Sequence, residues 1–221
     1  MIARELVSNN IPILNLNDKV YSAISMMDNY GVSHLPIVHD EVYVGLISEN
    51  QLYQMSDPNK NISECCYSDA HMSVFESQHL YDVVGVVSHD KLTIVPVISK
   101  DHKYIGSIIS FDLLLSLDKL LGAEEIGTVV VLELNVIDYS LSQIAQIVEY
   151  NNSKIISLYT NRKEESKKME LTLKIESDNI ISVLESFNRY EYNIKAVHAS
   201  DSPQADLFDD RYDNLMNFLN I

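Results

Sequence analysis

The sequence is poor in residues that cross-link or punctuate a chain, and it has no long apolar run. Its 221 residues contain no tryptophan, two cysteines, five prolines and six glycines. The cysteines, Cys65 and Cys66, are neighbours, so no disulfide framework is expected. We expect ordinary thiols, with a reactive vicinal dithiol as the alternative. Apolar stretches run to about five residues, against about 20 for a membrane span.

Positive charge is also scarce. The chain has 16 Lys and Arg against 32 Asp and Glu, a net charge of −16 at pH 7. Because each phosphate contact needs a cation, this balance argues against nucleic acids and anionic membranes as partners. The N-terminal segment lacks a basic flank followed by an apolar stretch, so we expect no secretory signal and a cytoplasmic protein.

Several classes of chemistry lack their sequence signatures. None of the seven histidines stands at zinc-ligand spacing from another histidine or a cysteine, so no metal site is expected. The G-x-S-x-G, G-x-x-x-x-G-K and G-x-G-x-x-G motifs do not occur. The sequence therefore predicts a protein that is not an enzyme.

The first half of the chain contains an internal repeat. An offset of 60 residues aligns Tyr21 with Tyr81 and Pro36 with Pro96, and an offset of 61 aligns Gly45 with Gly106.

Apolar residues at i, i+3, i+4 and i+7 predict one amphipathic helix per repeat, formed around Val20, Ala23, Ile24 and Met27 and around Leu80, Val83, Val84 and Val87. Asn17 and Ser77 are the predicted N-caps. Each helix leads to a strand around the proline, a turn, a second strand and a closing helix. The repeated unit is thus strand, helix, strand, strand, helix, and two copies are expected to pack sheet against sheet.

A different pattern follows Gly122. The β-branched run 128–134 predicts a strand, and Ser140 with Gln143 has the form of a capping box that opens a helix. A strand over 154–160, a one-sided strand over 169–175, a helix around 180–187 and a strand over 192–197 follow. The order βαββαβ predicts a ferredoxin-like sandwich. In the acidic tail, Tyr212 to Leu219 have the spacing of a short helix.

The repeat resembles a pair of cystathionine-β-synthase (CBS) domains, a Bateman module. The resemblance rests on the motifs Gly31–Val38 and Gly45–Leu52 and on their second copies, Val95–Ile98 and Gly106–Leu113. The C-terminal pattern looks like an ACT domain, and the whole chain is similar to AcuB-type proteins, a family linked to acetoin utilisation. The implied fold is α/β (α+β): CBS repeats over 1–60 and 61–122, an ACT-like domain over 127–198 and a tail over 199–221.

The CBS resemblance implies an adenosyl ligand such as AMP or ATP. In the family motif G-h-x-T/S-x-x-D the hydroxyl contacts phosphate and the carboxylate holds the ribose diol. The first repeat keeps Ser48 but has Gln51 in place of Asp, whereas the second keeps Asp112 but has Ile109 at the hydroxyl position. We take Ser48, Gln51, Asp112 and His34 as the candidate contacts. The alternative is that Ser48 and Asp112 only stabilise the starts of their helices.

The ACT resemblance implies a D-x-P-G turn where amino acids bind. The chain has Asp138, Tyr139, Ser140 and Leu141 there, without proline or glycine, so we expect no ligand in that position and a capping role for Asp138 and Ser140.

The expected function is ligand sensing by a homodimer or larger homo-oligomer. No cofactor is required, an adenine nucleotide is the regulatory ligand, and the ACT domain or a protein partner receives the signal. The alternative is a scaffold with degenerate sites that only oligomerises or binds a partner.

Overall fold

The computed structural model describes residues 1–8, 10–68, 72–162 and 166–199, so the predicted tail helix lies outside the described residues. The chain divides into two compact units, residues 1–117 and 118–221. In the described ranges, no helix has the length and apolar character to cross a membrane.

The first unit contains the two predicted repeats. Its elements are α1 (Val20–Tyr30), β1 (His34–His39), β2 (Val42–Ser48), α2 (Glu49–Tyr53), β3 (Val74–Phe75), α3 (Leu80–Asp90), β4 (Ile94–Ile98), β5 (Tyr104–Ile109) and α4 (Ser110–Leu121). β1 pairs with β2 and β4 with β5, antiparallel in both repeats. The predicted leading strand is short: β3 has two residues, and in the first repeat Leu14 makes a single parallel bridge to Ile37.

The repeats are joined by hydrogen bonds that come in matched pairs. The Tyr43 N–H donates to the carbonyl of His102 at 3.1 Å, and the Tyr104 N–H donates to the carbonyl of Glu41 at 2.9 Å. These pairs are related by the repeat offset, so the two repeats pack with approximate two-fold symmetry. They share one core of buried residues, which includes Leu35, Ile37, Ile47, Ile94, Val95 and Ile108.

Backbone pairing between the two repeats also makes α1 and α3 begin after the predicted N-cap residues. The predictions of Asn17 and Ser77 were wrong, because Lys19 is the N-cap of α1 and His79 that of α3. Both caps are still extended and bridge to the other repeat's leading segment, Lys19 to Asn61 and His79 to Ile2. A residue in such a bridge has extended backbone, so the helix begins after it.

The second unit has the predicted βαββαβ order. Its elements are β6 (Thr128–Asn135), α5 (Leu141–Tyr150), β7 (Lys154–Arg162), β8 (Lys168–Glu176), α6 (Ile180–Arg189) and β9 (Asn193–His198). The strands form one antiparallel sheet in the order β7-β8-β6-β9. Met169, Leu171, Leu173 and Ile175 are buried while their neighbours along β8 are not, which confirms the one-sided strand.

The start of α5 confirms the Ser140 cap and corrects the capping box. Ser140 Oγ accepts a hydrogen bond from the Gln143 N–H at 3.5 Å. The Gln143 side chain does not return to Ser140, because its Oε1 accepts a hydrogen bond from the Tyr192 hydroxyl at 2.9 Å. Gln143 therefore ties the helix to the segment before β9.

Candidate ligand cleft between the two repeats

A cleft in the first unit brings three of the four predicted contacts together. It has a volume of about 170 Å³ and is lined by His34, Leu46, Ser48, Gln51, Ser68, Met72, Asp90 and Leu92. His34 begins β1, Ser48 ends β2 and Gln51 lies in α2, whereas Asp90 ends α3 in the other repeat. Its volume is below the roughly 300–1,000 Å³ of ordinary ligand pockets, so a bound nucleoside would extend beyond it.

Ser48 and Gln51 are hydrogen-bonded to each other. Gln51 Oε1 accepts from the Ser48 N–H and from the Ser48 hydroxyl, both at 2.8 Å, and the Ser48 Oγ accepts from the Gln51 N–H at 3.3 Å. This reciprocal box closes the start of α2. Because Oε1 faces two donors, the amide NH₂ of Gln51 is left as a donor toward other groups.

His34 is held by a residue of the other repeat. The Thr93 N–H donates to His34 Nδ1 at 3.3 Å, and the Thr93 hydroxyl lies 3.0 Å from the same nitrogen. Nδ1 is therefore an acceptor, and the ring proton is on Nε2. Burial lowers the pKa of His34, opposed in part by the nearby carboxylate of Glu49, so the neutral ring with an Nε2–H donor is the form at pH 7.

Thr93 also fixes the backbone beside the cleft. Its Oγ1 accepts a hydrogen bond from the Ser33 N–H at 3.0 Å. Ser33 and Thr93 are related by the repeat offset, and both accept a hydrogen bond at the backbone carbonyl. The donor to Ser33 is the N–H of Glu49, the first residue of α2, and the donor to Thr93 is the N–H of Ser110, the first residue of α4. The seam between the repeats is thus one hydrogen-bonded network.

Asp90 is a lining residue that the sequence motifs did not indicate. It is the last residue of α3, its side chain is 26% exposed, and its Oδ1 lies 2.6 Å from Nδ1 of His89. The first repeat has Tyr30 at the corresponding position, so the repeat itself carried no signal for an acid here.

Comparison with known proteins agrees with this fold. A protein-family model, the CBS domain, matches residues 3–55. The structure is similar to that of a CBS domain pair/ACT domain protein from Thermotoga maritima, with 16% identity and a TM-score of 0.51, covering 55% of this chain and 99% of that chain. Residues 3–55 form a CBS domain. The CBS pair covers about 55% of the chain, and the antiparallel sheet with two helices that follows is consistent with an ACT domain.

Two further matches each cover about half of this chain. The structure of CBSX2 in complex with AMP covers 54% of this chain and 97% of that chain, at 17% identity and a TM-score of 0.48. The inosine-5′-monophosphate dehydrogenase of Methanocaldococcus jannaschii is 24% identical over 113 residues, 51% of this chain and 23% of the enzyme. The chain therefore spans less than a quarter of the length of that curated relative.

Asp112, the fourth predicted contact, is not among the residues that line this cleft. It lies in the first turn of α4, at the position that corresponds to Gln51 after the repeat offset. The position corresponding to Ser48 is Ile109, the last residue of β5, which has no hydroxyl to cap α4. Each repeat therefore keeps one polar residue of the CBS motif: the first has the hydroxyl of Ser48, and the second has the carboxylate of Asp112 at the symmetry-related site.

The second unit has a larger polar cavity where the first strand of the sheet meets α5. It measures about 460 Å³ and is lined in part by Glu133, Asp138, Lys168 and Asn193. Lys168 Nζ lies 2.7 Å from Glu133 Oε1, and this hydrogen bond lowers the pKa of Glu133. Asp138 Oδ2 accepts from the Asn135 side chain at 2.8 Å. These polar groups are thus already hydrogen-bonded within the unit.

Proposed function

We propose that this protein is a non-catalytic regulator that senses an adenosyl ligand in the cleft between its CBS repeats. The observation that carries the proposal is the cleft itself, in which His34, Ser48 and Gln51 of one repeat face Asp90 and Leu92 of the other. A ligand held there contacts both repeats, so its binding free energy depends on how the repeats are arranged.

The lining chemistry suits a nucleoside. Leu46, Met72 and Leu92 offer apolar surface to a flat base, and a polarizable methionine adapts to an aromatic ring. The Nε2–H of His34 and the amide NH₂ of Gln51 are donors for the oxygens of a ribose or the ring nitrogens of a base. Asp90 supplies carboxylate acceptors, which the first repeat lacks at the motif position held by Gln51.

The signalling unit in this proposal is a homodimer or larger homo-oligomer. Among the described residues, the outer edges of β7 and β9 pair with no further strand, and an open edge favours pairing with another chain. Ligand occupancy would then bias one of two arrangements of the subunits, and a protein partner would read that arrangement.

Titration calorimetry with adenosine, AMP and ATP tests the proposal. Gln51→Ala removes one of the two donors in the cleft and should weaken binding at least tenfold, about 1.4 kcal/mol. Asp112→Ala is the matched variant at the symmetry-related position and should leave binding in the cleft unchanged. The reverse result would assign the ligand to the symmetry-related site instead, with Asp112 as its ribose contact.

One observation favours a second function, a scaffold without a ligand. Ser48 and Gln51 satisfy each other's hydrogen bonds, as residues with a purely capping role would. A scaffold predicts no heat of binding and no thermal shift with any adenosyl compound, whereas a ligand at 100 times its Kd should stabilise the fold by about 2.7 kcal/mol.

A further inference from the structure

We propose that Asp90 makes the cleft selective by charge, so that its adenosyl ligand carries a neutral or positively charged group at the 5′ position in preference to a phosphate. This inference rests on the proposed function and names the ligand class for the same cleft. It concerns the groups that a phosphate would meet there.

A phosphate in the cleft would find no cation among the described lining residues. Asp90 is the one charged side chain in that set, and it is negative. The remaining ionisable group, His34, is neutral at pH 7 because burial lowers its pKa. A positive charge at close range stabilises a bound anion, whereas the one charge among the described lining residues repels it.

Apart from the Gln51 amide NH₂ and the His34 Nε2–H, the uncharged groups at the start of α2 that could bind a phosphate are already hydrogen-bonded. The Ser48 hydroxyl donates to Gln51 Oε1 at 2.8 Å. In the first turn of α2, the Glu49 N–H donates to the carbonyl of Ser33 at 2.9 Å and the Gln51 N–H donates to Ser48 Oγ at 3.3 Å. The helix has only five residues, so its dipole adds little. A phosphate would have to break these hydrogen bonds to be bound by those groups.

The other repeat presents the negative end of a helix. Asp90 ends the eleven-residue helix α3, and Leu92, two residues later, also lines the cleft. The carbonyl groups at a helix C-terminus carry partial negative charge, which disfavours anions and favours cations. Among the described residues, Asp90 Oδ2 makes no hydrogen bond, whereas Oδ1 contacts His89. The carboxylate therefore has an oxygen available to a donor or cation on the ligand.

Calorimetric titration of the full chain with four probes tests the inference. Adenosine and S-adenosylmethionine, which has a sulfonium at the 5′ position, should bind at least tenfold more tightly than AMP, and ATP should bind most weakly. Asp90→Asn should raise the affinity for AMP relative to that for adenosine at least fivefold. Asp101→Asn, at an exposed turn, removes the same net charge and should leave this ratio unchanged.

Salt dependence gives a second measurement on the unaltered protein. Because salt screens the repulsion, AMP affinity should rise relative to adenosine affinity as ionic strength increases from about 0.02 to 0.2 M. AMP binding as tight as adenosine, or equal effects of Asp90→Asn and Asp101→Asn, would overturn the inference and leave the proposed function standing. Absence of binding by all four probes would overturn the proposed function itself.

Discussion

Gly45 is a position where one added methyl group should unfold part of the CBS pair. A Cβ at Gly45 would lie 2.5 Å from the carbonyl oxygen of Ser68 and 2.8 Å from Cδ2 of Tyr67. The nearer atom is backbone, so the segment that leads into the second repeat must move away. Ser68 lines the cleft, so this movement also reaches the proposed ligand site.

The loss of stability follows from the two backbone hydrogen bonds that this movement breaks. The Leu46 N–H donates to the Ser68 carbonyl at 3.2 Å, and the Ser68 N–H donates to the Leu46 carbonyl at 2.9 Å. Each such hydrogen bond contributes about 1 kcal/mol net, and overpacking a tight contact costs about 1–3 kcal/mol. Gly45→Ala should therefore destabilise the first unit by about 3–5 kcal/mol.

Gly85 provides the matched control, because the same substitution should increase stability there. It is an exposed residue inside α3, and an added Cβ would meet no atom within 4 Å. Alanine in a helix interior is favoured over glycine by about 0.5–1 kcal/mol, so Gly85→Ala should stabilise.

Hydrogen exchange and urea unfolding of the full chain measure both variants. Peptides covering β2 and residues 62–68 should lose protection in Gly45→Ala and keep it in Gly85→Ala. A Gly45→Ala protein within about 0.5 kcal/mol of the unaltered chain, with protection intact, would refute the steric argument.

Three further predictions concern a cap, a titration and an assembly. Ser140→Ala should cost about 1 kcal/mol in urea unfolding through loss of the α5 cap, and a change below about 0.3 kcal/mol would mean that the helix does not depend on it. Because the pKa of His34 is lower in the folded chain than its ordinary 6.5, its contribution to stability should be full above pH 6.5 and be lost as pH falls below it. His34→Asn keeps an acceptor facing Thr93 and should remove the part of the pH dependence of stability that arises from His34, measured in melts at matched salt. An unchanged dependence of stability on pH would contradict this prediction. Light scattering at tens of micromolar should give a mass above that of the 25.1 kDa monomer, and the monomer mass would contradict self-association.

Two kinds of local signal were enough to predict the fold. The repeat offset aligned whole units, and the helices α1 and α3 begin at the first residues of the predicted apolar faces, Val20 and Leu80. In the second unit, alternation along β8 and helical spacing along α6 predicted the βαββαβ order. Such patterns record which side of each element faces a core, and each is complete within a short stretch of chain.

The predictions that were wrong concern residues at helix starts where the backbone or a side chain pairs with a distant segment of the chain. Asn17 and Ser77 have good capping side chains, yet the chain beside them stays extended because it pairs with the other repeat. Gln143 has the capping-box spacing, yet its amide oxygen accepts from Tyr192, 49 residues later. A spacing rule describes what a residue can do locally and contains no information about a partner brought in by folding.

The sequence alone determined the two repeats, the order of elements in both units and the motif residues His34, Ser48, Gln51 and Asp112. Only the tertiary structure decided how they are grouped. It brings His34, Ser48 and Gln51 into one cleft, assigns Asp112 to the symmetry-related position and adds Asp90 from the other repeat. The reason is geometric, because a cleft between two repeats takes one wall from each. Which residues face each other there depends on the packing of chain segments about 60 residues apart, which no local pattern encodes.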